Sequence, residues 1–431
     1  MLIRTHLKFL FLLILMNFSL LSTSCAQSLV EAKVARSDLE RDASPQVSNG
    51  VLWELSSGNA EFALHLYQEL KEKEGNLIFS PYSISSALAM TYGGARGDTE
   101  REMAQTLSFT LPQDHLHPAF NVLDLELAER TNPVDIGPIT VEGVQLEITN
   151  SLWGQDGYSF RPEYLDLLAL NYGAEMRILD FVGRADAARR AINRWVEDAT
   201  KGTIKEIVPG GILNAQTRLV LVNAIYFNAK WEDPFSKFDT KRESFYLLDG
   251  STVQVPMMSQ DEVYPYWKGN GFQVFEMPYL GRELAMGILL PDAGKFRDVE
   301  RSLDARLVNR IVENLDSQYL DLTMPKFEFE SEFALRETLS KMGMRNAFEN
   351  ADFSGMDGSR DLMLSEALHK SFVAVDERGT EASAATSVFA DVISNPMYPL
   401  ELTVDRPFIF WIRDIPTGTF LFIGRVLIPE R

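Results

Sequence analysis

Cysteine and histidine, the types that most often serve as nucleophile, general base or metal ligand, are scarce among the 431 residues, at one and five. Cys25 is the single cysteine, so no intramolecular disulfide, four-cysteine zinc site or iron–sulfur cluster can form. The five histidines are His6, His65, His115, His117 and His369. His115 and His117 flank a leucine before Pro118, two ligands short of a metal site, and read as a surface loop. His369 opens an apolar strand, where a lone histidine is more often a satisfied structural group than a base. There is no G-x-S-x-G elbow, no H-E-x-x-H, no phosphate loop and no G-x-G-x-x-G turn, and no Ser-His-Asp set can be assembled from spacing. The expectation is a protein that is not an enzyme and needs no cofactor or metal.

A different chemistry, that of backbone hydrogen bonds, is offered by residues 372–393. A strand-like run, Ser371 to Val375, leads through Asp376-Glu377-Arg378 to Gly379 and then to eight mostly small residues, Thr380 to Ser387. Read with period two, Thr380, Ala382, Ala384, Thr386 and Val388 share one face, while Glu381, Ser383, Ala385 and Ser387 share the other. The first face is small and uncharged and can slide over a core. Two readings fit this composition: a flexible Ala/Ser loop, or a segment exposed in one state and paired as a strand in another.

Composition sets the frame that must hold such a segment. With 41 Lys and Arg against 61 Asp and Glu, the net charge is 41 − 61 = −20, which excludes nucleic acid as a partner. At 45 % apolar and 24 % charged residues the chain can bury a large core. Residues 1–25 look like an export signal: Arg4, His6 and Lys8 precede the apolar run Phe9 to Leu21, too short to span a bilayer. Two processing sites fit. Ser22-Thr23-Ser24-Cys25 resembles a lipobox with Cys25 as the lipidated residue, although Leu21 stands four residues before it where three is usual; cleavage after Ala26 suits a freely secreted chain. Residues 26–50 are polar without apolar period and read as a flexible tether, and 51–431 as a single domain.

Within that domain, helical period or capping spacing marks Asn59 to Lys73, Ser80-Pro81 to Gly93-Gly94, Thr99 to Leu107, Pro162 to Tyr172, Ala185 to Lys201, Val299 to Glu313 and Glu332 to Met342. Strands are expected at Gln145 to Trp153, Arg218 to Phe227, Phe245 to Leu247, Phe272 to Pro278, Leu284 to Leu290, Leu320 to Phe329, Leu368 to Val375, Leu400 to Val404, Phe408 to Arg413 and Thr419 to Ile428. The alternation is irregular, so the class is α+β with mixed or antiparallel sheets.

The string Val375-Asp376-Glu377-Arg378-Gly379-Thr380-Glu381-Ala382-Ser383-Ala384-Ala385-Thr386 resembles the hinge of inhibitory serpins, of the kind found in exported bacterial members. Other blocks agree in order: Asn76 to Ser85, Ile192-Asn193-Arg194-Trp195-Val196, Leu221 to Phe227 with Trp231, Asp405-Arg406-Pro407-Phe408 and Phe422-Ile423-Gly424-Arg425-Val426. The resemblance covers about Val51 to Pro429. It implies three sheets (A, B and C), eight or nine helices, and an exposed reactive loop over about 379–400. It further implies a suicide-substrate mechanism: a serine protease cleaves the loop, which then inserts into sheet A and traps the acyl-enzyme. By family register the scissile bond is Ile393-Ser394, and Ser80, Ser83, Asn223 and His369 form the polar cluster where sheet A parts. A β-branched residue at the cleaved position suits elastase-like or subtilisin-like proteases. No Lys/Arg cluster occurs at or after Thr99 to Leu107, so no heparin activation is expected; a monomer is. A serpin-fold binding protein that does not inhibit is the alternative.

Overall fold

Ser80 and Pro81 start a helix as expected: the Ser80 hydroxyl accepts from the amide of Ser83 at 3.2 Å, and Pro81 occupies the first turn where no donor is lost. The computed structural model describes residues 30–136, 138–380 and 398–429. The chain begins with β1 (Lys33–Ala35), α1 (Asn49–Leu70), β2 (Leu77–Phe79), α2 (Pro81–Tyr92), α3 (Gly97–Thr106) and α4 (Gln113–Glu129). A small ribbon, β3 (Val134–Ile136) and β4 (Ile139–Val141), precedes β5 (Gln145–Gln155), α5 (Pro162–Tyr172), β6 (Met176–Leu179), α6 (Phe181–Ala199) and β7 (Leu219–Lys230). Next come β8 (Lys241–Tyr246), β9 (Thr252–Lys268), β10 (Phe272–Pro278), β11 (Leu284–Pro291), α7 (Phe296–Ser302) and α8 (Ala305–Asn314). After β12 (Asp316–Pro325) and β13 (Phe327–Ala334) stand α9 (Arg336–Met342) and two single turns, α10 (Asn346–Glu349) and α11 (Ser354–Asp357). The chain closes with β14 (Leu364–Asp376), β15 (Gly379–Thr380), β16 (Leu400–Thr403), β17 (Phe408–Asp414) and β18 (Phe420–Val426).

Seven strands form sheet A in the order β1-β6-β5-β7-β15-β14-β13. A nine-stranded sheet runs β16-β12-β9-β10-β11-β17-β18-β2, with β8 on β9, and β3 with β4 makes a third. Helix α2 touches β18 of one large sheet and β5 and β7 of the other, and all twelve of its residues are buried. A helix of small and apolar residues with no charged side chain can be buried on every face, and this one fills the space between the two large sheets. The eleven helical segments among the described residues exceed the expected eight or nine by the two single turns α10 and α11.

Several expectations need correction. His115 and His117 lie not in a loop but in α4, and His117 is buried with its Nδ1 2.7 Å from the Tyr172 hydroxyl. Pro118 inside that helix masked its apolar face of Leu116, Phe120, Leu123 and Leu127. Helix α1 starts at Asn49, ten residues before the apolar period becomes regular, because Ser48 caps it and Gly58 packs against the Ser108 carbonyl, where a Cβ would lie 2.4 Å away. Val299 to Glu313 is two helices, since the Asp304 carboxylate caps the amide of Leu307 at 2.7 Å. Leu320 to Phe329 is likewise two strands in different sheets, parted at Lys326. Glu332 to Ala334 continue β13 rather than opening a helix, with Phe327, Phe329 and Phe333 buried in strict alternation. Strand β9 escaped because Pro256 and Pro265 interrupt a polar stretch.

The stretch 26–50, read as a tether, is laid on the body over its described part from β1 onward, and Ala32–Arg431 form one unit. Strand β1 pairs with β6, and Arg41 reaches α4, donating to Asn121 Oδ1 at 2.7 Å and pairing with Asp124 at 2.8 Å. Asn121 in turn donates to the Asp42 carbonyl at 2.8 Å. These are polar and backbone bonds, which hydrophobic patterning does not register. Arg41→Ala should cost about 1–2 kcal/mol, mostly from the buried Asn121 Oδ1 left without its donor. Hydrogen exchange over residues 33–48 checks it: unchanged protection would show that Arg41 does not hold the segment.

Candidate functional site: the hinge of sheet A

Strands β7 and β14 run parallel and pair directly from Leu219↔Leu364 to Ile225↔Ser371. Beyond that point they part. After the turn Glu377-Arg378, the chain re-enters the opening as β15, with Thr380 opposite both Val375 of β14 and Ala229 of β7. Only glycine fits the first rung: Gly379 has φ +151°, and a Cβ there would lie 2.0 Å from the Ala229 carbonyl oxygen. Thr380 is 1 % exposed, and its Oγ1 lies 2.8 Å from the Tyr279 hydroxyl.

Glu377 anchors the turn. Its carboxylate accepts from Lys326 Nζ at 2.6 Å and from Thr240 Oγ1 at 2.8 Å, and its carbonyl accepts from the amide of Phe235 at 2.8 Å. Burial alone would raise this carboxyl, but the Lys326 and Thr240 hydrogen bonds outweigh it and hold the group below the usual carboxylate range. Trp231 braces the other side, donating its backbone amide to the Arg378 carbonyl at 2.9 Å and its indole N–H to the Asp376 carbonyl at 3.0 Å. Its ring stacks on Tyr279 with centroids 4.6 Å apart and planes within 12°.

Lower down, where β7 and β14 still pair, the structure brings Ser80, Ser83, Asn223 and His369 together. His369 is fully buried; its Nε2 accepts from the Ser80 amide at 3.0 Å, and its Nδ1 bonds Asn223 Oδ1. With Nε2 accepting, the proton sits on Nδ1 and the ring is neutral. Burial pushes the His369 pKa down to about 3. Asn223 donates to Ser83 Oγ and to Asn150 Oδ1, and Ser83 is within 3.4 Å of the same Asn150 oxygen. His369 and Asn223 are register partners across β14 and β7.

Of the residues read from sequence, Glu377, Gly379 and Thr380 lie at the mouth where β7 and β14 part, and Ser80, Ser83, Asn223 and His369 lie lower, where the two strands still pair. Glu381, Ala382, Ser383, Ala384, Ala385, Thr386, Ile393, Ser394 and Cys25 lie outside the described residues. Sequence reading missed Thr240, Tyr279, Lys326 and Asn150, and quoted Trp231 without a role. Among the described residues no group of three or more His, Cys, Asp or Glu is arranged to hold a metal ion.

The chain thus folds as a mixed α/β body of two large sheets and a short ribbon, with Gly379 and Thr380 seated where its seven-stranded sheet parts. The family model described as Serpin (serine protease inhibitor) matches residues 57–429. The chain is 42 % identical over 372 residues to an uncharacterized serpin-like protein of Thermococcus kodakarensis, covering 86 % of this chain and 84 % of that one. It is 40 % identical over 389 residues to leukocyte elastase inhibitor A of Mus musculus, covering 87 % of this chain and 100 % of the relative. Among solved structures, human thyroxine-binding globulin superposes with a TM-score of 0.78 at 32 % identity, covering 88 % of this chain and all of that one. The chain belongs to the serpin family.

Proposed function

We propose that this serpin is a suicide-substrate inhibitor of serine proteases. The observation that carries the reading is the seated hinge: Gly379 and Thr380 already occupy the mouth of the opening between β7 and β14, with small residues following them in sequence. On family register a protease cleaves after Ile393. Thr380 to Ile393 then supplies fourteen residues of about 3.3 Å each, roughly 46 Å of strand, enough to carry a bound protease from one pole to the other. About ten new ladder hydrogen bonds at roughly 0.5–1.5 kcal/mol each give on the order of 10 kcal/mol, enough to distort an acyl-enzyme before it is hydrolysed. Ile393 at the cleaved position favours elastase-like or subtilisin-like proteases, and the mouse relative is named for inhibition of an elastase.

The mature chain mixed with pancreatic elastase or subtilisin should give a covalent complex that survives denaturant, and loop cleavage should raise its melting temperature. Absence of both outcomes would leave the serpin-fold binding protein as the reading. Export is part of the proposal, resting on residues 1–25 and the lipobox-like Ser22 to Cys25. Labelling with a radioactive fatty acid, lost in Cys25→Ser, would mark a lipid-anchored form; an unlabelled chain in the medium would mark a secreted one.

A further inference from the structure

The residue that holds the hinge in place comes from outside sheet A. Tyr279 follows β10 of the nine-stranded sheet, and its phenol is fully buried. Its position is fixed three ways: a backbone bond to the Leu284 carbonyl at 2.9 Å, an isolated bridge to Trp231, and the ring stack already described, with Phe227 at 5.2 Å on another side. The one hydrogen-bond partner of its hydroxyl among the described residues is Thr380. Two buried hydroxyls thus satisfy each other, one on a fixed support and the other on a strand of two residues.

We propose that Tyr279 is a positioning residue for loop insertion: it keeps Thr380 seated before any cleavage, so insertion proceeds by extending two existing rungs. This rests on the inhibitory reading above. Starting a new strand fixes several residues before the first cooperative return, whereas extending one adds a bond for each residue fixed. Withdrawing Thr380 opens both hydroxyls to water, so the seat is stable only while each buried hydroxyl finds the other. The cost is asymmetric. Removing either hydroxyl orphans the other in the seated state, while removing both leaves two apolar groups of matching shape that seat without penalty.

Tyr279→Phe, Thr380→Val and the double variant form the test. Hydrogen exchange of a peptide spanning residues 376–382 reports the seat directly. Mixing with elastase reports the partition between trapped complex and cleaved inhibitor. Each single variant is expected to lose hinge protection by about tenfold and to release several-fold more cleaved inhibitor per complex, with the association rate undiminished. The double variant should return towards the parent in both readouts. A Tyr279 that merely supports the fold would lower the melting temperature without this reciprocal rescue. Unchanged protection in Tyr279→Phe would overturn the seat, and lost protection with an unchanged partition would overturn its place in insertion. If the parent forms no complex with any serine protease, the inhibitory reading fails, while the exchange experiment still decides whether Tyr279 holds the hinge.

Discussion

Thr380→Arg is expected to turn a protease trap into a protease substrate. The parent threonine is 1 % exposed between two strands, with a tyrosine hydroxyl as its side-chain partner. A guanidinium there finds the described acids of the turn already engaged: Glu377 is paired with Lys326 at 2.6 Å and Asp376 with Arg378 at 3.6 Å. Burying an unpaired charge costs several kcal/mol, so the arginine withdraws the hinge to solvent and the first rungs of insertion are lost. If insertion slows by about 3 kcal/mol while deacylation keeps its rate, the partition moves on the order of 100-fold towards hydrolysis. Gel analysis with elastase should show cleaved inhibitor in place of complex, and Thr380→Ser should behave as the parent. A Thr380→Arg variant that traps protease at the parental ratio would remove hinge insertion from the mechanism.

Acidification should weaken the native state well above the ordinary carboxylate range, through two buried histidines. His369 is neutral because burial depresses its pKa to about 3; His117 is held at about 3 by burial and, secondarily, by the charge of Arg96. The unfolded chain takes up both protons near pH 6.5 and the folded chain does not until about pH 3, so over this interval the unfolded state binds more protons. Stability is therefore complete above about pH 6.5 and falls as pH drops, by about 1.4 kcal/mol per unit for each histidine, or about 4 kcal/mol for the pair at pH 5. Glu377, with its lowered carboxyl, adds a loss in the same direction at still lower pH. The denaturation midpoint should drop steeply between pH 7 and pH 5, and His117→Gln should remove about half of that slope. A variant with the parental slope would show that His117 is protonated without cost.

How much of this was legible depends on range. The hinge string and the Ser80-Pro81 start could be read because small residues, period two and capping act within a few positions. The seat could not: Thr240, Tyr279 and Lys326 reach the hinge from 137, 101 and 51 residues away, and nothing in their own neighbourhoods marks them. The polar cluster emerged from sequence only through family resemblance, and Asn150, its fifth member, sits in a strand whose pattern says only that it is half buried. Burial of His117 was hidden by Pro118, and the N-terminal segment by its reliance on polar bonds.

Sheet A raises a problem of colloidal behaviour as well as of mechanism, because a sheet that accepts a strand of its own chain, as proposed above, invites strands from other molecules too. Its two outer edges are guarded differently. On one side the short β1, with exposed Lys33, occupies the rim of β6. On the other, β13 turns Glu328, Glu330 and Glu332 outward along its length, with Lys370 bonded to Glu330 at 3.1 Å. Charged and short edge strands resist edge-to-edge pairing, and a net charge of −20 adds repulsion between whole molecules. The acidity thus acts in the same direction as the guarded edges: it opposes the joining of one molecule's sheet to another's.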